Sequence, residues 1–206
     1  MARLKRRYVQ IISAIASNSY LEGFKKGIIY RGKSKFICFP GLNCYSCPGA
    51  VASCPIGAIQ AILNNFKYQI SFYLLGFLMA VGTIGGRLVC GWICPFGLFQ
   101  DLVYKIPVKK ISMKKSFSLL KYFFLIIFVI LMPAFLVDDL GLSLPYFCKY
   151  ICPAGTLEAG IPLAMVNLPI RKALGGMFYW KLFLLGILVI ISMMISRPFC
   201  RAICPL

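Results

Sequence analysis

Residues Tyr122–Val137 read YFFLIIFVILMPAFLV, a run without a charged side chain. Outward from it, the apolar stretch extends over Phe117–Val137, which is close to the roughly 20 residues that a helix needs to cross a bilayer core of about 30 Å. Two further stretches have similar length and composition, Tyr68–Val89 and Phe178–Ile195. Pro133 is expected to kink the far end of the central run. The chain thus has three strong candidate membrane spans.

The overall composition supports the same fold class. Of the 206 residues, 60% are hydrophobic and 14% are charged, and the mean hydropathy is +0.84. A soluble core of this size does not hide so much apolar surface. We therefore predict an all-α integral membrane protein, a small bundle of three to four transmembrane helices with Cys-rich loops at the helix ends. The expected location is a prokaryotic cytoplasmic membrane, with membrane lipid as a partner.

The charge distribution favours a lipid surface over nucleic acid. Lys and Arg number 23 against 5 Asp and Glu, and basic residues collect at the boundary between lipid and water. No nucleic-acid partner is expected. Counting basic residues in the loops leaves the orientation of the bundle open.

The N-terminal part of the chain differs from the rest. Tyr8–Leu21 is a weaker apolar segment that follows a basic run, and three interpretations stay open: a short span, an interfacial helix or a signal sequence. We divide the chain into residues 1–66, a basic segment with a Cys-rich loop, and residues 67–206, the transmembrane bundle with three Cys-x-x-x-Cys-Pro motifs.

The cysteines form an internal repeat. The pattern Cys-Pro-x-Gly begins at Cys54, Cys94 and Cys152, and Cys204-Pro205 starts a further copy. Three copies carry a second cysteine four residues earlier, which gives the pairs Cys90/Cys94, Cys148/Cys152 and Cys200/Cys204. Buried cysteines that act only as small hydrophobic residues have no reason to repeat in this way.

This spacing has a chemical consequence. Residues four apart lie on one face of a helical turn, so that both thiolates reach one metal centre. Proline directly after a ligand cysteine is typical of bacterial ferredoxin sequences, and thiolate is a soft ligand that selects iron–sulfur, zinc or cuprous copper. The chain contains no His, which excludes His-ligated haem and His-containing zinc sites. The pattern predicts one or two 4Fe–4S clusters.

The positions of the pairs relative to the spans predict two separate sites. The pairs that follow the first and third spans are expected on one side of the bundle, where they complete the first cluster: Cys90, Cys94, Cys200 and Cys204. The other six cysteines are expected on the opposite side, where four of them hold a second cluster and a spare pair is free for a disulfide: Cys38, Cys44, Cys47, Cys54, Cys148 and Cys152.

Few other side chains suggest a chemical role. Arg87 and Arg201 lie beside the first ligand set, where each either raises the potential of a cluster or simply ends a span. Four carboxylates are either proton relays at a quinone or ordinary residues at the membrane interface: Asp101, Asp138, Asp139 and Glu158. No nucleophile with a base is visible, so we expect an electron-carrier subunit rather than a catalyst.

With these motifs, the chain resembles the membrane polyferredoxin group that includes the NapH-, NosR- and CcoG-type proteins. The resemblance rests on Gly86–Gly97 (GRLVCGWICPFG), Cys148–Pro153 (CKYICP) and Arg197–Pro205 (RPFCRAICP). It is most similar to a subgroup with an N-terminal segment like Gly41–Ala50 (GLNCYSCPGA). Relatives continue into soluble ferredoxin repeats, which do not follow Leu206.

The resemblance implies electron transfer through 4Fe–4S clusters, coupled to the quinone pool or to a partner redox protein such as a reductase subunit or a ferredoxin. It also implies that the first ligand set faces the cytoplasm, in a four-span topology. Two alternatives remain at this point. One is a membrane thiol–disulfide relay that uses Cys44 and Cys47. The other is a non-redox scaffold or maturation factor that metal only stabilises.

Overall fold

The computed structural model describes residues 2–36, 38–39, 41–52, 54–63, 76, 79–80, 90–113, 115–136, 145–172 and 174–205. Within these ranges the regular structure is helical, and no β-strand occurs there beyond an isolated bridge residue at Cys38. The all-α part of the predicted fold class is confirmed.

The N-terminal region contains three helices and one tight turn: α1 (Ala2–Ser17), α2 (Glu22–Lys26), a 3-10 turn (Lys33–Phe36) and α3 (Pro55–Leu63). The basic run before Tyr8 is part of α1. A proline at the first helical position begins α3, where its missing N–H would have had no partner in any case. The same arrangement begins α4 (Pro95–Val103).

A long apolar helix, α5, corresponds to the predicted central span Phe117–Val137. It consists of a 3-10 turn (Lys115–Leu119), an α-helical turn (Leu120–Phe124), a π-helical stretch (Leu125–Leu131) and a final α-turn (Met132–Phe135). Pro133 would collide with the carbonyl group of Val129 in a regular α-helix. The wider π-helical turns over this stretch relieve that conflict. The π-helical stretch ends directly before the turn that contains Pro133.

The C-terminal half contains short helices around one long helix. They are α6 (Phe147–Ile151, π-helical), α7 (π-helical Thr156–Gly160 continuing as α-helical Ile161–Val166), α8 (Leu168–Lys172), α9 (Gly176–Met194) and α10 (Pro198–Ala202). Helix α9 contains nearly all of the predicted third span. It contacts α4 and α7, while α10 contacts the beginning of α5.

Among the described residues, α9 alone is both long and apolar enough to cross a membrane. The apolar helix over Phe117–Leu131 is shorter than that limit. The predicted span Tyr68–Val89 lies outside the described residues, apart from helical positions 76, 79 and 80.

Helix α1 has its polar side inside. Gln10 and Ser17 are buried, whereas Tyr8, Ile12 and Ile15 are each more than 60% exposed. In a helix on the surface of a soluble protein the apolar side faces the core instead. The buried polar side of α1 packs against α4, next to several of the cysteines.

Candidate metal centre

The first predicted ligand set lies where two short helices meet. Cys94 directly precedes α4, and Cys90 lies in the helical turn before it. Cys200 is inside α10 and Cys204 follows that helix. The rings of Phe96 in α4 and Phe199 in α10 pack edge to face, with centroids 5.4 Å apart. The structure thus brings the two cysteine pairs together, as the sequence predicts.

Burial dominates the electrostatics of this first group. It raises the pKa of the Cys94 thiol to about 11, and the backbone amide of Gly97 acts in the opposite direction. It also raises the pKa of Cys200, where Cys94 contributes further in the same direction and Arg197 opposes it. Cys94 and Cys200 are therefore close enough to interact. A bound metal centre would supply the positive charge that these thiolates otherwise lack.

Arg197 is the cation that serves this group. Its guanidinium donates to the carbonyl oxygen of Cys90 (3.3 Å) and that of Gly91 (3.4 Å), and it forms a bidentate ion pair with Asp101. Its backbone has the rare positive φ of 51°, which L residues adopt at a cost. The sequence pattern indicates Arg87 and Arg201 as the arginines beside this ligand set and does not single out Arg197. Arg87 lies outside the described residues, and Arg201 is exposed.

Asp101 joins α1 to this region. Its carboxylate accepts a hydrogen bond from Arg6 of α1 at 2.6 Å, in addition to those from Arg197. Gln10 of α1 donates to the carbonyl oxygen of Gly91 at 2.7 Å. Asp101 is therefore held between two cations, Arg6 and Arg197, and connects α1 to the segment that carries Cys200. Arg197 could have been found from the sequence, because it lies three residues before the ligand candidate Cys200.

The glycines of the Cys-Pro-x-Gly repeats allow close packing of protein on protein. A Cβ atom on Gly57 would lie 3.0 Å from Cβ of Tyr45, and one on Gly97 would lie 3.3 Å from the carbonyl oxygen of Cys90. A Cβ atom on Gly155 would lie 3.2 Å from Sγ of Cys44. Each glycine thus makes room for a neighbouring chain segment, often one that carries a cysteine.

Four of the other six cysteines surround a cavity of about 360 Å³. Its lining includes Cys44, Cys54, Cys148 and Cys152, which come from the N-terminal loop and from the region between α5 and α7. Cys38 and Cys47 are buried elsewhere. All ten cysteines are free thiols, so the possible disulfide between spare cysteines is not formed in this structure.

The thiols at this cavity interact with one another. Burial raises the pKa of Cys152, and Cys148, Cys44 and Cys54 all act in the same direction. Burial likewise raises the pKa of Cys148 to about 12, with Cys54 and Cys44 as further causes. The four thiols thus form one electrostatic group.

Two charged residues flank the cavity. Lys181 of α9 lines it, and its ammonium group donates to the carbonyl oxygen of Cys148 at 2.7 Å. The carboxyl group of Glu158 accepts a hydrogen bond from the backbone N–H of Cys44 at 2.7 Å. Burial raises the pKa of Glu158 to about 8. Asp138 and Asp139, the other predicted relay candidates, lie outside the described residues.

The two cysteine groups are neighbours, which differs from the predicted placement on opposite sides. The backbone N–H of Leu42 donates to Sγ of Cys94 at 3.4 Å, and Leu42 also lines the cavity. One continuous buried cluster contains cysteines of both groups, among them Cys54, Cys94, Cys152 and Cys204. The prediction assumed that each loop stays at its own helix end. The segment that begins at Gly41 instead packs against Cys94. A Cβ atom on Gly41 would lie 3.2 Å from the Cα atom of Cys94.

The donor set at the cavity is compatible with a 4Fe–4S cluster. Among the described residues, no three side chains of Cys, His, Asp or Glu are placed to hold one metal ion. A single zinc ion requires all its sulfur ligands at about 2.3 Å from one point, whereas a 4Fe–4S cluster is held by four thiolates around a bulky core. Four thiols around a cavity and the absence of His from the sequence fit such a cluster.

Comparison with known proteins points to the same cofactor. A family described as "4Fe-4S binding domain" matches residues 69–114, 120–161 and 177–206, which is more than half of the chain. These ranges contain six of the ten cysteines, the three Cys-x-x-x-Cys-Pro pairs. The cysteines from Cys38 to Cys54 lie outside the matched residues.

Two relatives come from Methanocaldococcus jannaschii. Uncharacterized protein MJ0749 is 36% identical over 104 residues, which cover 38% of this chain and 42% of the relative. Uncharacterized protein MJ0750 is 29% identical over 165 residues, which cover 74% of this chain and 59% of the relative. The chain thus spans about half the length of these relatives. No solved structure matches. From the family match and the thiol geometry together, the chain belongs to the 4Fe-4S binding domain family.

Proposed function

We propose that this protein is a membrane-bound electron carrier with two 4Fe–4S clusters, which would supply one-electron redox chemistry. Cys90, Cys94, Cys200 and Cys204 hold the first cluster, and four of the remaining six cysteines hold the second. The observation that carries this proposal is the presence of two buried thiol groups within one continuous core. Adjacent redox centres are what a carrier requires to pass an electron through a protein.

The exposed surface supports the membrane location. Only 17% of the most apolar part of α9 is buried, and large apolar side chains such as Phe183 and Ile190 point outward at 60% or more exposure. Phe123 and Ile126 of α5 are also half-exposed or more. Soluble monomers rarely leave contiguous apolar patches of this kind uncovered. The bundle of three to four spans that we propose places these faces against lipid.

Helix α1 belongs to this membrane bundle in the proposal. Its apolar side faces outward and its polar side is bonded to α4 and to the first thiol group through Gln10 and Arg6. A signal sequence destined for removal would not carry side chains that complete a buried network. These contacts favour a short span or an interfacial helix over a signal sequence.

The proposed electron path runs between the quinone pool or a partner redox protein and a further acceptor. The neighbouring thiol groups would allow an electron to pass between two centres inside one chain. Asp101 is occupied by two arginines, so we assign it to the structure of the first site. A redox partner is proposed as a reductase subunit or a ferredoxin on the basis of resemblance.

The burial of Cys47 argues against a thiol–disulfide relay. Cys47 is 1% exposed, and burial raises the pKa of its thiol to about 11. A relay needs an accessible thiolate, which is the reactive form. Cys44 is partly buried and lines the cavity. The pair therefore lacks the accessibility that the alternative function requires.

Metal analysis tests the proposal directly. We would purify the protein anaerobically in detergent and measure iron, acid-labile sulfide and zinc per chain, with an EPR spectrum. About eight iron and eight sulfide are expected for two 4Fe–4S clusters. Zinc without iron would overturn the electron-carrier function. Clusters that keep one oxidation state throughout a redox titration would instead support the scaffold alternative.

A further inference from the structure

Six cysteines compete for the four ligand positions of the second cluster, and the cavity between α3, α6 and α7 separates them into two classes. Cys44, Cys54, Cys148 and Cys152 line the cavity, and Cys38 and Cys47 do not. We propose that these four residues hold the second cluster and that Cys38 and Cys47 are structural thiols. This inference rests on the proposed function and specifies its second site.

The four residues converge from two distant parts of the chain. Cys54 directly precedes α3, and Cys152 directly follows α6, with Cys148 inside that helix. Cys54 and Cys152 belong to one buried cluster, and Cys148 packs against it. This places three of the four thiols on adjoining walls of the same space.

Cys44 completes the set because Gly155 leaves room for it. The sulfur of Cys44 lies where a side chain at position 155 would begin, 3.2 Å from the Cβ atom that Gly155 lacks. Gly155 belongs to the Cys152-Pro-Ala-Gly repeat. The motif that supplies Cys148 and Cys152 thus also admits the ligand from the N-terminal loop. The backbone N–H of Cys44 donates to the side-chain carboxyl group of Glu158, and this hydrogen bond holds the loop against α7.

Cys47 makes a different contact. Its thiol donates to the backbone carbonyl oxygen of Glu158 at 3.3 Å, so the sulfur is directed at α7 and has a hydrogen-bond partner of its own. A sulfur placed against the backbone of α7 in this way does not line the cavity. Cys38 is buried in the loop that precedes Gly41, and only Cys44 and Cys54 of the N-terminal cysteines reach the cavity lining.

Charge around the cavity also suits a thiolate-bound cluster. Lys181 lies next to both ligand segments: it lines the cavity, donates to the carbonyl oxygen of Cys148, and its ammonium nitrogen lies 3.8 Å from the position of a Cβ atom on Gly155. A positive charge at this place offsets part of the negative charge that four thiolates confer.

The test compares single Cys→Ser variants by metal content. Cys44→Ser, Cys54→Ser, Cys148→Ser and Cys152→Ser are each expected to lower iron from about eight to about four per chain and to keep the EPR signal of the first cluster. Cys47→Ser is the matched control, since Cys47 lies in the same loop, three residues from Cys44, and does not line the cavity. It and Cys38→Ser are expected to keep about eight iron.

The outcomes separate this inference from the proposed function. Wild-type protein without iron would overturn both. If the wild-type protein has two clusters and Cys47→Ser or Cys38→Ser loses one of them, the ligand assignment alone is overturned. Full iron content in any of the four ligand variants would overturn it as well. Wild-type protein with a single cluster that survives Cys148→Ser would also overturn it. For a ligand variant that fails to insert, Gly155→Ala provides a second route, because it keeps every thiol and is expected to perturb only the second EPR signal.

Discussion

The two thiol groups use the same ligand type in contrasting surroundings. The first has two cations within its network, Arg197 and Arg6, which share Asp101. The second lies against Lys181 and Glu158. The carboxyl group of Glu158 accepts a hydrogen bond from the backbone N–H of Cys44 at the cavity, and Lys181 donates to the carbonyl oxygen of Cys148. Because nearby positive charge favours the reduced form of a cluster, we expect the first site to have the higher reduction potential. Electrons would then rest at the first site.

The largest effect is expected from removing a ligand of the first site. Cys94→Ser is predicted to lower iron from about eight to about four per chain, since Cys94 is buried, interacts with Cys200 and would lose its thiolate ligand atom. Membrane insertion should persist, as the substitution lies outside the apolar helices. Iron and sulfide analysis with membrane fractionation checks this. Unchanged iron content would mean that the first cysteine group does not hold a cluster, and the expected difference in reduction potential between the two sites would then have no basis.

A smaller and selective loss is expected for Gly155→Ala. The added Cβ atom would lie 3.2 Å from Sγ of Cys44, so that the cavity has to widen by a few tenths of an ångström before it can hold the same ligands. We predict partial loss or a changed line shape of the second EPR signal, with the first unchanged. Gly186→Ala in α9 is the matched control, because a Cβ atom there meets nothing within 4 Å. Equal effects of both substitutions would contradict the prediction.

Arg197→Gln tests the electrostatic side of the comparison. Loss of one positive charge several ångströms from the first site should lower its midpoint potential by on the order of 100 mV, for an effective dielectric constant of about 20. The second site should shift less. An EPR-monitored redox titration measures both. Arg201→Gln is the control, since Arg201 is adjacent to Cys200 but exposed; a larger shift in that variant would show that Arg197 does not set the potential.

The smallest effect is expected for Gln10→Ala. The amide of Gln10 is fully buried and donates to the carbonyl oxygen of Gly91, and leaving that acceptor without a partner costs about 1–3 kcal/mol. We predict a lower thermal unfolding temperature in detergent and normal iron content. Ile12→Ala on the exposed side of α1 should have little effect. An equal loss in both variants would mean that α1 is not held through its polar side.

Local pattern predicted what depends on local geometry. The apolar run around Val129 became α5, and the stretch around Leu185 became α9. Of the cysteines four apart, the first of each pair lies in a helical turn and the second follows that turn. Pro55 and Pro95 of the repeats lie at the first positions of α3 and α4, where the missing N–H group of proline costs nothing. These features follow from spacing and side-chain chemistry within about ten residues. The number of spans in the whole chain remains part of the proposal.

Long-range packing was not accessible to the same reasoning. Nothing in the spacing of the sequence indicates that Leu42 binds the sulfur of Cys94, 52 residues away. The expectation of two sites at opposite ends assumed that loops stay at their own helix ends, and that assumption failed at the loop containing Gly41. Arg197 was missed for a related reason: its partner Asp101 is 96 residues distant. Among six eligible cysteines, composition alone offered no way to choose four.

The contact between Leu42 and Cys94 has a consequence for how the protein would store charge. The same short segment bonds a sulfur of the first site and, two residues later, supplies Cys44 to the second. With two sites so close in a buried core, an added negative charge at one is felt at the other. Filling the first site then makes filling the second harder, which is negative cooperativity. The protein would accept and release electrons one at a time, over a wider range of potentials than two independent sites would cover.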